Sequence, residues 1–73
     1  MSRSKLAAYH YGVRYEPHAD GDYLGYVKEF RKLNARASSE KKALWEIKVL
    51  TREFVKDRKM FGLPIPEPGE ILE

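Results

Sequence analysis

The chain has 73 residues, no cysteine and a formal net charge of +3, which leaves room for one domain and excludes disulfides and thiolate metal sites. A chain this short buries only about 60% of the surface its unfolded form exposes, so association is the expected source of extra stability and a homodimer the default. No stretch approaches the ~20 apolar residues of a membrane span, and the polar Met1–Lys5 start is unlike a secretory leader; a soluble protein of the cytoplasm is expected.

The charge is uneven along the chain. Residues 1–27 carry three basic and three acidic side chains, residues 28–59 eleven basic and five acidic, and residues 60–73 only Glu67, Glu70 and Glu73. A basic middle with an acidic tail suits an anionic partner, or a middle partly masked by its own tail.

From Leu6 to Tyr15 the odd positions are Ala7, Tyr9, Tyr11, Val13 and Tyr15, an aromatic-rich alternation that predicts a strand with one buried face. Pro17 to Gly21 is turn chemistry, since proline fixes φ and Asp20-Gly21 favours a reversal. Tyr23, Leu24, Tyr26, Val27 and Phe30 follow, giving a hairpin over about residues 6–30, with a third short strand over 33–37.

Ser38-Ser39 then supplies a hydroxyl cap for a helix over about 39–61, with Glu40 at its positive end and Lys56, Arg58 and Lys59 at its negative end. At about 100° per residue, Ala43, Ile47, Leu50, Phe54 and Phe61 share one arc, the predicted core face, and Gly62 is placed to end the helix. Alternate prolines extend the 62–69 tail, and Ile71-Leu72 could begin a last strand. Together these elements predict one α+β domain over 1–73, a small ββ(β)α unit with an antiparallel sheet packed on one long helix.

No catalytic or metal constellation emerges. Glu16, His18, Asp20 and Asp22 cluster at the hairpin turn, where polar residues ordinarily sit in water. His10 is a lone histidine without an orienting carboxylate, weak evidence for acid–base work, and Gly12, Gly21 and Gly25 do not form a phosphate loop. The expectation is a non-catalytic protein without a cofactor.

The helix face opposite the predicted core is more informative. Lys41, Trp45, Lys48, Arg52, Lys56 and Lys59 fall within about 80° of one another, so the only tryptophan stands in a basic stripe. An aromatic flanked by cations can stack on a base or anchor a protein. Coverage of the indole by the Pro64–Pro68 tail or by a second copy is the favoured alternative. Lys28, Arg31 and Lys32 form a second basic group, a solvated loop on the plain reading and a contact for nucleic acid or protein on the other.

Three segments carry a family resemblance. These are the acidic hairpin Asp20-Gly21-Asp22-Tyr23-Leu24, the Ser39 to Ala43 helix start, and the ending Gly62-Leu63-Pro64-Ile65-Pro66-Glu67-Pro68. From about Tyr11 to Pro68 the chain resembles the HicB-like domain of bacterial toxin–antitoxin systems. That resemblance implies a degenerate ribonuclease-H-like fold without the catalytic carboxylates, and a protein that neutralises a small RNA-cleaving HicA-type toxin, often as a dimer. The expected working surfaces are the acidic hairpin, the Trp45 stripe and the proline tail, with Asp20, Asp22, Tyr23, Trp45, Pro64 and Pro66 as the partner contacts. The sequence departs from the family's pattern at Lys28-Glu29-Phe30-Arg31-Lys32 and at Lys42, and it carries no DNA-binding domain after the proline motif, so autorepression is not expected of it. Covering a basic toxin calls for acidic groups, so either the acidic hairpin and tail make the contact or the fold serves another partner: RNA or single-stranded DNA, or a host enzyme bound by a mobile-element protein.

Overall fold

A computed structural model describes residues 8–17 and 22–72. Strands β1 (Tyr11–Glu16), β2 (Asp22–Val27) and β3 (Asn34–Ala37) precede one helix, α1 (Glu40–Met60). The strands form an antiparallel sheet in the order β1-β2-β3. The α+β class and the long helix agree with the sequence expectation, and the third strand is real.

Register explains which side of the sheet is covered. Tyr11 pairs with Val27, Val13 with Gly25 and Tyr15 with Tyr23, while Gly25 meets Ala35 and Tyr23 meets Ala37 across β3. Side chains alternate faces along a strand, so this odd-numbered set shares one side. The helix packs there, burying Val27, Ala37, Ala43 and Ile47. At Gly25 the helix backbone comes so close that an added Cβ would lie 2.5 Å from the Ala43 carbonyl oxygen. The glycine is therefore a packing requirement of the sheet–helix seam, not a weak point in the strand.

The helix begins at Ser39, whose Oγ accepts the Lys42 amide at 3.2 Å. It ends in a Schellman motif: Gly62 has φ 67°, its N–H donates to Lys59, and the Leu63 N–H donates to Arg58 at 2.8 Å.

The buried helix face differs from the predicted arc. Ala43, Ile47, Thr51 and Val55 are buried, with Leu44 and Phe54 packed beside them, whereas Leu50 is 38% and Phe61 73% exposed. The core face is thus rotated by roughly 50° toward Thr51 and Val55. Thr51 can occupy it because its hydroxyl donates to the Ile47 carbonyl at 2.7 Å, leaving no unpaired polar atom. Phe61 is the C-cap residue, where the helical period that aligned it with Ala43 has ended.

Beyond β2, the chain builds an aromatic node. Phe30 is buried, with Tyr9 edge-on at 5.1 Å and Phe54 edge-on at 5.3 Å. The C-terminal tail closes over this node rather than over the helix.

Candidate binding surfaces

The other side of the sheet has no helix on it. Its even-numbered rungs run Glu16–Asp22, then Arg14–Leu24–Arg36, then Gly12–Tyr26–Asn34. A further hydrogen bond, from Lys28 N–H to the His10 carbonyl at 3.0 Å, continues the β1–β2 pairing by one rung. The hairpin end of this face is acidic and the remainder basic. A groove of about 860 Å³ lies along it, lined among others by His10, Arg14, Tyr26, Lys28 and Arg31. Tyr26 is 43% exposed, and an added Cβ at Gly12 would strike its ring at 2.5 Å. The phenol ring therefore lies across Gly12, occupying the space a side chain would need there.

The tail is held by one buried carboxylate. Glu29 is fully buried. Its Oε1 accepts the His10 backbone N–H at 2.9 Å, and its Oε2 lies 2.6 Å from His10 Nδ1 and accepts the Gly69 N–H at 2.7 Å. The Glu29 carbonyl accepts the Leu72 N–H at 2.8 Å, and Leu72 forms a parallel bridge with Phe30. Burial alone would raise the pKa of this carboxyl, but the hydrogen bonds from the His10 ring and from the His10 and Gly69 amides outweigh it and hold the pKa at about 2. The carboxylate in turn helps to push the Tyr9 phenol upward, after burial as the larger cause. The Tyr9 hydroxyl donates to the Pro66 carbonyl at 2.7 Å, a second tether. Between the tethers, Glu67-Pro68-Gly69-Glu70 makes a turn of type II character, with Gly69 at φ 93° and the Glu70 N–H on the Glu67 carbonyl at 2.9 Å.

The residues singled out in the sequence are dispersed. Asp20 lies outside the described residues, as does His18. Asp22 is half-buried beside Glu16 on the open sheet face, while Tyr23 points to the opposite side and packs on Tyr15 at 5.1 Å. Trp45 is 64% exposed. The proline tail leaves the indole uncovered, because its contacts are to Tyr9, Glu29 and Phe30. Lys41, Lys48, Arg52, Lys56 and Lys59 are exposed with it, Lys48 resting 5.7 Å over the Tyr11 ring. Pro64 is exposed, its carbonyl held by Arg58 Nε at 2.7 Å, whereas Pro66 is buried against its own chain. Lys28, Arg31 and Lys32 are exposed: the first two line the open-face groove, and Arg31 and Lys32 border a smaller one beside Phe30.

Two features escaped sequence reasoning. Glu29 looked like one charge in a basic run, yet it anchors the tail and, contrary to expectation, gives His10 an orienting carboxylate, brought from nineteen residues away by the fold. Arg14, Tyr26 and Arg36 share a face only once the register is known; extending the odd–even alternation of β1 into β2 was the available signal.

Comparisons with protein-family models, curated proteins and solved structures find no match. Function therefore has to be argued from these surfaces. Among the described residues, no group of three histidine, aspartate or glutamate side chains is arranged to hold a metal ion. No helix there is long and apolar enough to cross a membrane.

Proposed function

We propose that the chain is a non-catalytic HicB-like domain that acts in the cytoplasm as an antitoxin-type inhibitor of a small RNA-cleaving protein. The observation that carries this reading is the element order. Three antiparallel strands, one serine-capped helix and a glycine-started proline tail follow each other as the family resemblance implies. The charge pattern adds a constraint on how such a partner docks. Like charges oppose association, so a basic toxin surface would avoid the Arg14–Arg36 side of the sheet and approach the acidic Glu16–Asp22 rung. The tail acids Glu67 and Glu70 sit by the Glu29 anchor at the other end of β2, too far along the fold to extend that rung. A second copy is a further partner in this reading, supported by exposed Trp45, Met60, Phe61 and Leu63.

The test is co-expression of the full chain with a HicA-type protein encoded beside it. Relief of growth arrest and a complex that co-purifies are expected. Unrelieved toxicity, or no such neighbouring frame, contradicts the proposal.

A second reading has its own observation: the exposed indole within the helical basic stripe. It makes the chain a small module for RNA or single-stranded DNA. Quenching of Trp45 fluorescence that weakens steeply with salt would support it, and flat fluorescence at low salt would remove it.

A further inference from the structure

We infer that the open face of the sheet, and not the helix stripe, is a surface for single-stranded nucleic acid, with Tyr26 as the stacking platform and Arg14, Lys28 and Arg36 as the phosphate contacts. The inference does not depend on the antitoxin reading, which concerns a protein partner at the acidic end of the sheet.

The argument begins with the central rung. Gly12 faces Tyr26, which faces Asn34. Because Gly12 has no side chain, the tyrosine ring can lie down over it, and the ring remains 43% exposed. The tip of the ring comes over Gly12, and an aromatic ring exposed on a sheet face is a surface on which an unpaired base can stack. Asn34, exposed on the neighbouring strand, offers both a donor and an acceptor beside that ring.

The next rung supplies charge. Leu24 is flanked by Arg14 on one edge strand and Arg36 on the other, about 10 Å apart across the sheet. Both arginines are exposed, Arg14 keeping a loose 3.6 Å pairing with Glu16. On the far side of Tyr26, Lys28 continues the cationic border. The platform is thus bracketed by cations along a face of seven residues from Asp22 to Lys28, roughly 20 Å, enough for a few nucleotides of single strand.

Charge complementarity selects the occupant. A polyanion gains from each cation along its path, and single strands alone offer free base faces to the ring. An A-form duplex keeps its bases stacked inside and would use the arginines but not Tyr26. The helix stripe is less suited: Glu46, Glu53 and Asp57 are interspersed along the same helix, and its aromatic residue stands up from a convex surface. The sheet presents its ring and cations in one plane.

The experiment is fluorescence anisotropy of a labelled, unstructured RNA octamer titrated with the full chain at low and moderate salt, beside a duplex RNA of the same length. Tight binding of the single strand over the duplex is expected, with Tyr26→Ala weakening it about tenfold and leaving the salt slope intact. Arg36→Ala and Lys28→Ala should each weaken binding and lower the salt slope by about 1. These side chains lie on the solvent side of the sheet, and thermal melting is the check that each variant folds; if Tyr26→Ala does not fold, the two charge variants decide. No binding at low salt overturns the inference, as does equal binding of duplex insensitive to Tyr26→Ala. Loss of binding in Trp45→Ala and Arg52→Ala, with Arg36→Ala unaffected, would place the surface on the helix and overturn it as well.

Discussion

Glu29 shows how one side chain can organise distant parts of a small chain. It joins His10, next to β1, to Gly69 in the tail, and all three hydrogen bonds go to one carboxylate with no exposed surface. Glu29→Gln keeps the shape but has one amide oxygen where the carboxylate had two acceptors. Loss of a charge-assisted hydrogen bond in a buried place should cost about 2–3 kcal/mol at neutral pH, measurable by urea denaturation. The pH dependence has a definite sign. The folded-state pKa, about 2, lies below the ordinary 4.5, so the carboxylate contributes stability that is fully present above pH 4.5 and lost as pH falls toward 2. The wild-type melting temperature should therefore drop across that window by more than that of Glu29→Gln. Parallel acid profiles for the two proteins would show that the carboxylate does not hold the tail.

At the scale of elements, the sheet–helix seam depends on Gly25. An alanine there would have to move the Ala43 backbone, not a flexible side chain, and overpacking of this kind costs about 1–3 kcal/mol. Gly25→Ala should lower the denaturation midpoint accordingly, and an unchanged midpoint would mean that the helix rides higher on the sheet. The tail is an element too, although it contains no helix or strand. Removing residues 65–73 takes the Pro66 acceptor from the Tyr9 hydroxyl and the Gly69 amide from Glu29 and uncovers Phe30, so a loss of about 3 kcal/mol or more is expected. A truncated chain as stable as the full one would contradict that role.

Much of this was legible in the sequence because local chemistry decided it. Alternation marked β1, Ser39 and Gly62 marked the helix ends, and the prolines marked an extended tail. The helix face was misjudged by a fraction of a turn because Leu50 outranks Thr51 in hydrophobicity, while the structure satisfies the threonine hydroxyl internally and buries it. The destination of the tail was not legible, since its anchor is a glutamate forty residues away in sequence. The open face was hidden for a related reason: Arg14, Tyr26 and Arg36 come together through strand register, a non-local property.

At the scale of the molecule, the fold separates its surfaces by charge and texture. An acidic rung closes the hairpin end of the sheet, a basic aromatic groove occupies the rest of that face, and the helix turns a cationic stripe with an exposed indole to the other side. Such a layout suits a domain that works by contact. If Trp45 meets a second copy, its fluorescence emission should shift to shorter wavelength as protein concentration rises, in step with an increase in mass by light scattering. An emission maximum independent of concentration would remove the indole from the dimer interface.

The proposed role of this domain is to bind and silence a small RNA-cleaving protein without chemistry of its own. It is tested most directly by following RNA cleavage by the purified HicA-type neighbour while the full chain is titrated in. Cleavage should fall to background near a stoichiometric ratio, with the RNA left intact by the chain alone. Cleavage that continues undiminished in excess chain, or RNA cut by the chain itself, would contradict it.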